Sequence, residues 1–140
     1  MNKELTLLLI KPDAIERNLI GEILFQVERK RFQILDLKMV HLKAEDAKRF
    51  YQVHKDKSFF NDLIKFVSTG SVVAVLLKKE NAVQDLRKLV GSTDPKKSNE
   101  GTIRYTFGLD ITRNSVHASD SEESAKFEID FFFNKDFLTA

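Results

Sequence analysis

Three kinds of side chain in this sequence are equipped for chemistry on an anion. They are His117, the basic residues Lys11, Arg87 and Arg104, and the carboxylates that follow the histidine. His117 lies in an apparent short strand, Ser115-Val116-His117-Ala118, that runs directly into Ser119-Asp120-Ser121-Glu122-Glu123. The second run predicts a helix start with Asp120 and Glu123 as its capping pair, and the first-turn N–H groups of such a helix attract an anion beside the imidazole. An imidazole is a good phosphoryl acceptor when one ring nitrogen is free and the other is held by an acceptor. Glu128 lies two turns into the same helix, roughly on the side of Ser121 and Ser124, where it can turn back toward the ring. A satisfied structural histidine is the competing reading of the same spacing.

The basic residues are placed to hold phosphates, although each one alone reads equally as a solvated charge. Lys11 closes the first strand, Arg87 lies on a helix, and Arg104 follows Gly101-Thr102-Ile103. There is no G-x-x-x-x-G-K-[S/T] loop, and no G-x-G-x-x-G follows a strand, so any phosphate must be gripped by side chains rather than by a glycine cradle. The catalytic-loop and D-F-G signatures of protein kinases are missing as well. Among the other histidines, His41 reads as a strand-edge residue and His54 as part of a polar loop. Asp120, Glu122 and Glu123 read as helix-start carboxylates, and no histidine pair has zinc spacing. Ser119 and Ser121 lack the context of a hydrolase nucleophile. Phe59-Phe60 is either core or a platform on which a base could stack.

The elements that must position these residues follow from hydrophobic period. Leu5 to Ile10 reads as a strand buried on both faces and stopped by Pro12. Ile20, Ile23, Leu24 and Val27 recur at helical spacing. Leu35, Leu37 and Met39 alternate with Asp36 and Lys38, which predicts a strand with the leucines inward and the charges wet. Ala44, Ala47, Phe50 and Tyr51 predict one short helix, and Phe60, Leu63, Ile64 and Val67 another. Val72 to Leu77 is a third strand. Asn81 with Gln84 resembles a capping box opening a helix over 82–90, which Gly91 ends. A loop spans 91–101, and the last helix turns Ala125, Ile129, Phe132 and Phe133 inward. Strands alternating with helices on one small sheet predict an α+β fold of the ferredoxin-like βαββαβ kind, an antiparallel sheet covered by helices, with an extra C-terminal segment.

Composition excludes several classes. At 140 residues the chain is one domain's worth. A net charge of +2 argues against a dedicated nucleic-acid binder held by phosphate neutralisation. With no cysteine there is neither a disulfide nor a thiolate metal site. The early apolar run is too short for a signal peptide and nothing approaches transmembrane length, so a cytoplasmic location is expected.

The motifs together carry a resemblance. Asn114-Ser115-Val116-His117-Ala118-Ser119-Asp120-Ser121 closely resembles the N-x-x-H-[G/A]-S-D-[S/A] signature of nucleoside diphosphate kinases. Further blocks occur in family order and spacing: Leu9 to Ala14, Leu19 to Glu22, Phe50-Tyr51 through His54-Lys55 to Phe59-Phe60, Gly91 to Pro95, Gly101 to Arg104, and Glu122 to Ile129. The resemblance implies one nucleoside diphosphate kinase domain over residues 1–140. Its reaction would be reversible ping-pong transfer of a terminal phosphoryl group from a nucleoside triphosphate to a diphosphate through phospho-His117. It assigns Lys11, Tyr51, Arg87, Thr93, Arg104 and Asn114 to phosphates, sugar hydroxyl or the reacting group. Phe59, with Leu63 and Ile111 beside it, matches the base-stacking position, and Glu128 and Ser119 match the groups that orient the histidine. Mg2+ is implied as arriving on the nucleotide, and a homo-oligomer, tetramer or hexamer, as the assembled form. A relative that binds nucleotides for regulation without catalysis is the alternative. The sequence departs from the family pattern at Ser58 and Ser71, which replace prolines, at Glu100, and at Tyr105-Thr106 after Arg104.

Overall fold

The run Leu7, Leu8, Leu9 and Ile10 is fully buried, so both faces of the first strand are covered, as a continuous apolar segment requires. In the computed structural model, which describes residues 3–110 and 113–133, this strand is β1 (Lys3–Ile10). Its neighbours are β3 (Ser71–Glu80), paired along the whole of β1, and β4 (Val116–Ala118), paired at Leu8 to Ile10. The fourth strand, β2 (Gln33–His41), adds to the far side of β3. The sheet order is β2-β3-β1-β4, with every pair antiparallel.

Helices join and cover the strands. After β1 come α1 (Pro12–Glu16) and α2 (Ile20–Arg29). The pair α3 (Ala44–Phe50) and α4 (Phe60–Val67) lies between β2 and β3. Next are α5 (Ala82–Val90), the short α6 (Ile103–Phe107), and α7 (Glu122–Phe132) after β4. This is the α+β, ferredoxin-like arrangement, with a helical pair inserted between the second and third strands. Alternation along the strands divides the interior in two. Leu7, Leu9, Val72, Ala74 and Leu76 pack on α3, α4 and α7, whereas Leu8, Ile10, Val73, Val75 and Leu77 pack on α2 and α5. No helix among the described residues is long and apolar enough to cross a membrane.

Several local expectations are corrected. The period of β2 is right, but its faces are reversed. Leu35, Leu37 and Met39 are 43%, 46% and 58% exposed, while Ile34, Asp36, Lys38 and Val40 are half-buried. A register shift between Ile34 and Asp36 puts Ile34, Leu37 and Met39 opposite Leu77, Val75 and Val73, on one face of the sheet. That face is covered by α2 and α5 over β1 and β3, and β2 extends past the cover. Pro12 does stop β1, but it does so as the first residue of α1, where a missing N–H is harmless.

Helix ends also differ. Asn81 is the N-cap of α5 but makes no side-chain cap bond; Glu4, from β1, accepts from the Val83 N–H at 3.2 Å instead. The N-cap of α7 is Ser121 rather than Asp120, with its Oγ accepting from the Ser124 N–H at 3.0 Å. Gly91 ends α5 at φ +94°, and a Cβ there would lie 2.8 Å from Thr102 Oγ1, so both conformation and space demand glycine.

Candidate active site

Because β4 pairs with the end of β1, the residues just after β1 meet the residues just before β4. Lys11 N–H donates to Ser115 O at 2.9 Å, and Lys11 Nζ donates to Asn114 Oδ1 at 2.9 Å. The Asn114 amide in turn donates to Thr93 O at 2.9 Å, which ties the loop after α5 to the same point. Arg104 enters from α6. Its two terminal nitrogens donate to Gly91 O at 3.1 Å and Val116 O at 2.8 Å, locking the guanidinium to the backbone on both sides.

Burial gives these cations unusual properties. Lys11 is pulled down to about 7 by burial and then by the nearby Arg104 charge, against the opposing pull of Asp13 and Asp110. Arg104 is lowered to about 10, again by burial and then by Arg87, and stays cationic at neutral pH. The two charges are concentrated and poorly hydrated, so they gain strongly from an anion between them.

His117 is held from three directions. Its Nε2 lies 3.0 Å from Glu128 Oε1, and the same carboxylate oxygen accepts from Ser119 Oγ at 2.6 Å. A carboxylate has no proton to give, so Nε2 carries the hydrogen and Nδ1 keeps its lone pair. The rings of Phe50 and Tyr51 lie edge-on to the imidazole at 5.4 and 5.5 Å between centroids. Together these contacts fix both tautomer and orientation. Tyr51 Oη is buried with no hydrogen-bond partner among the described residues. Burial and the neighbouring Glu128 raise its pKa, so it is a neutral O–H donor awaiting an acceptor.

A cavity of about 110 Å³ is lined by Lys11, Tyr51, His54, Phe59, Leu63, Thr93, Arg104, Asn114 and His117. Eight of these were selected from sequence, with Glu128 and Ser119 directly behind the histidine. Arg87 is exposed on α5 and does not line the cavity, although its charge reaches both Arg104 and Asp120. Ile111 lies outside the described residues. His54 is the member that sequence reasoning missed. A single-turn 3₁₀ helix, Gln52–His54, brings it 6.1 Å from the Phe59 ring instead of leaving it in a polar loop. Burial and then the adjacent His117 lower its pKa.

Comparison with known proteins settles the family. The family model described as nucleoside diphosphate kinase matches residues 4–138. The chain belongs to the nucleoside diphosphate kinase family. Among curated nucleoside diphosphate kinases, that of Histophilus somni (strain 2336) is 50% identical over 133 residues, covering 95% of this chain and 94% of the relative. That of Persephonella marina is 46% identical over 135 residues, covering 96% of each. The crystal structure of Aquifex aeolicus nucleoside diphosphate kinase superposes with a TM-score of 0.92 at 42% identity, over 96% of this chain and 97% of that one. The Encephalitozoon cuniculi nucleoside diphosphate kinase also gives 0.92, at 34% identity over 96% and 91%. Members of this nucleoside diphosphate kinase family are phosphotransferases, and so is this chain.

Proposed function

We propose that the chain moves the terminal phosphoryl group of a nucleoside triphosphate to His117 and then to a second nucleoside diphosphate. The observation that carries this is the His117–Glu128 hydrogen bond, because it engages Nε2 and leaves the Nδ1 lone pair as the nucleophile on a histidine that lines a cationic cavity. In the first half-reaction the Nδ1–P bond forms as the bond from phosphorus to the bridging oxygen breaks, and the nucleoside diphosphate leaves with that electron pair. In the second, a terminal oxygen of the acceptor diphosphate attacks phosphorus and the P–N bond breaks. The Nε2 proton stays in place throughout, and Glu128 balances the positive charge that grows on the ring while Ser119 steadies the carboxylate.

Phosphoryl transfer asks little covalent work beyond the nucleophile and depends on positioning and on cations around the equatorial oxygens. Lys11, Arg104 and the Tyr51 hydroxyl supply those contacts, Asn114 and Thr93 hold the loop and the sugar–phosphate end, and Arg87 adds charge from the rim. Among the described residues no group of three His, Cys, Asp or Glu could hold a metal ion. The donors facing the cavity are cations and amides, which suit phosphate oxygens, so Mg2+ enters as part of the Mg–nucleotide substrate. The whole chain acts as one domain, in the cytoplasm.

The test is intact-mass analysis after incubation with Mg-ATP and no acceptor. One added phosphoryl group that maps to His117 and leaves on adding a different nucleoside diphosphate is the expected result. A protein that binds ATP and never gains the group removes the proposal. Phe59 and Leu63 line the cavity on the side where a base would stack. Phe59→Ala should therefore weaken every nucleotide by about 1–3 kcal/mol, since every base has a π-face; calorimetric affinities that stay unchanged return Phe59 to the core.

We also propose self-association, as a tetramer or hexamer. Leu35, Leu37 and Met39 stand exposed along the outermost strand, and Phe25 on α2 is 60% exposed. An edge strand with an apolar row invites pairing with a second chain. Leu37→Lys with Met39→Lys should shift the light-scattering mass toward the monomer, and an unchanged mass would place the contact elsewhere.

A further inference from the structure

The turn that delivers the signature to the site is strained. Ser115 has φ +77°, in the positive region where a residue with a Cβ is strained. Asparagine and aspartate tolerate that region by bonding locally through their side chains, but Ser115 Oγ is buried with no hydrogen-bond partner among the described residues. The turn is closed across Ser115 by the Val116 N–H donating to Asn114 O at 3.0 Å, a strained γ-turn type of bond, and it is gripped from outside as well. Asp13 Oδ2 accepts from the Ser115 N–H at 3.1 Å, and Lys11 N–H donates to Ser115 O at 2.9 Å, so the segment after β1 grips both polar groups of the one residue.

We propose that Asp13 is a positioning residue for phosphoryl transfer: its buried carboxylate fixes the left-handed turn at Ser115 and balances the Lys11 charge, holding Asn114, Lys11 and His117 in one arrangement. The proposal rests on the reading of His117 as phosphoryl acceptor. Ser115 follows Asn114 directly, and Asn114 binds the Lys11 ammonium; two residues onward is His117, opposite Leu9 in the β4–β1 register. A change in the φ of Ser115 swings one against the other.

The alternative is that Asp13 merely caps a helix. Three observations weigh against this. First, α1 is five residues long, so there is little dipole for a carboxylate to complement. Second, Asp13 is 5% exposed, and Oδ1 is buried with no hydrogen-bond partner among the described residues, an arrangement that a neutral cap would avoid. Third, the carboxyl lies within electrostatic reach of the Lys11 ammonium, which favours its charged form against the cost of burial. Burial raises the Asp13 pKa, and Lys11, the Ser115 N–H and Arg17 oppose the rise. The groups facing Lys11 are Arg104 from α6, Asp13 from α1, and Asp110. Loss of the Asp13 charge removes the larger of these two carboxylate influences that oppose Arg104 at Lys11.

The test compares wild type, Asp13→Ala, Asp13→Asn and Asp13→Ala/Ser115→Gly by single-turnover phosphorylation from Mg-ATP, the pH profile of kcat/KM, and thermal unfolding. Asp13→Ala should phosphorylate about a hundredfold more slowly while still unfolding cooperatively, the scale of loss expected of a small misplacement at a reacting centre. Adding Ser115→Gly should recover at least about tenfold, because glycine adopts positive φ without a clamp. Asp13→Asn keeps an acceptor for Ser115 and loses the charge. Its rate at low pH should approach wild type, and its alkaline limb, which follows loss of the Lys11 proton in the free enzyme, should move to lower pH. Wild-type phosphorylation in Asp13→Ala, or no recovery in the double variant, overturns the proposal. Should Asp13→Ala fail to fold, an unmoved alkaline limb in Asp13→Asn overturns it instead. A wild-type protein that takes no phosphoryl group defeats the proposed function itself, and the wild-type reference in each comparison separates that failure from failure of Asp13 alone.

Discussion

Replacing His117 with glutamine should leave a folded protein that binds Mg-ATP and takes no phosphoryl group from it. The cavity-lining side chains proposed to grip nucleotide, Lys11, Arg104, Asn114 and Phe59, are untouched by the change. Glutamine fills much of the slot between Phe50 and Tyr51, and its amide N–H can still donate to Glu128. Affinity for ADP should therefore hold within about threefold, the range of a substitution that breaks no buried network. Turnover should fall by roughly 10⁶, the scale seen when a nucleophile is removed while its surroundings remain. The tautomer adds a second readout in the wild-type protein. Glu128 occupies Nε2, so the phosphoryl group belongs on Nδ1. Phosphorus NMR of the phosphorylated protein separates the two isomers. A group on Nε2 would contradict the geometry of the site, and turnover surviving in the glutamine variant would remove His117 as the nucleophile.

Much of this site was legible because its key contacts are local or lie on strongly periodic elements. Glu128 was readable as a partner for His117 because a helix beginning just after the histidine puts it on a predictable side. The bounds of α4 followed from its apolar spacing, and those of α5 from Asn81 and Gly91 at its two ends. What was hidden depends on residues far apart in the chain. Glu4 caps α5 from 79 positions away, and no local pattern announces it. The grip of Asp13 on Ser115 spans 102 positions and is a product of the β1–β4 pairing. On β2 the period of two was visible but the choice of face was not, because both sides of that strand carry apolar residues, Val40 on one and Leu37 and Met39 on the other, and the register shift after Ile34 puts that residue with the second set. Burial decided it, and burial at the edge of a sheet depends on how far α2 and α5 reach. His54 was misread for a related reason, since a single 3₁₀ turn has no periodic signature to read.

Arg104 tests whether the cationic cavity depends on charge alone or on a fork held in one orientation. Its guanidinium spends one N–H of each terminal nitrogen on Gly91 O and Val116 O, which leaves the second N–H of each for a phosphate. Nε is buried with no hydrogen-bond partner among the described residues. A lysine at this position keeps the charge, but an ammonium cannot span two carbonyls and a phosphate in one plane. Arg104→Lys should therefore lose activity nearly as alanine does. Each should lower kcat by about a hundredfold, the usual cost of removing one donor to developing charge. Both variants should also lose about 2 kcal/mol of stability, because hydrogen bonds from a charged group to two backbone carbonyls disappear. The two effects are separable. Mg-ADP binding stabilises whatever folded fraction remains, so kcat measured on saturated enzyme reports the donor, while denaturant unfolding without ligand reports the carbonyls. Lysine with wild-type kcat and reduced stability would make Arg104 a structural tie whose place at the cavity is incidental; lysine with wild-type stability and reduced kcat would assign its whole effect to phosphate. The arrangement of Gly91, Val116 and Arg104 predicts that both quantities fall together.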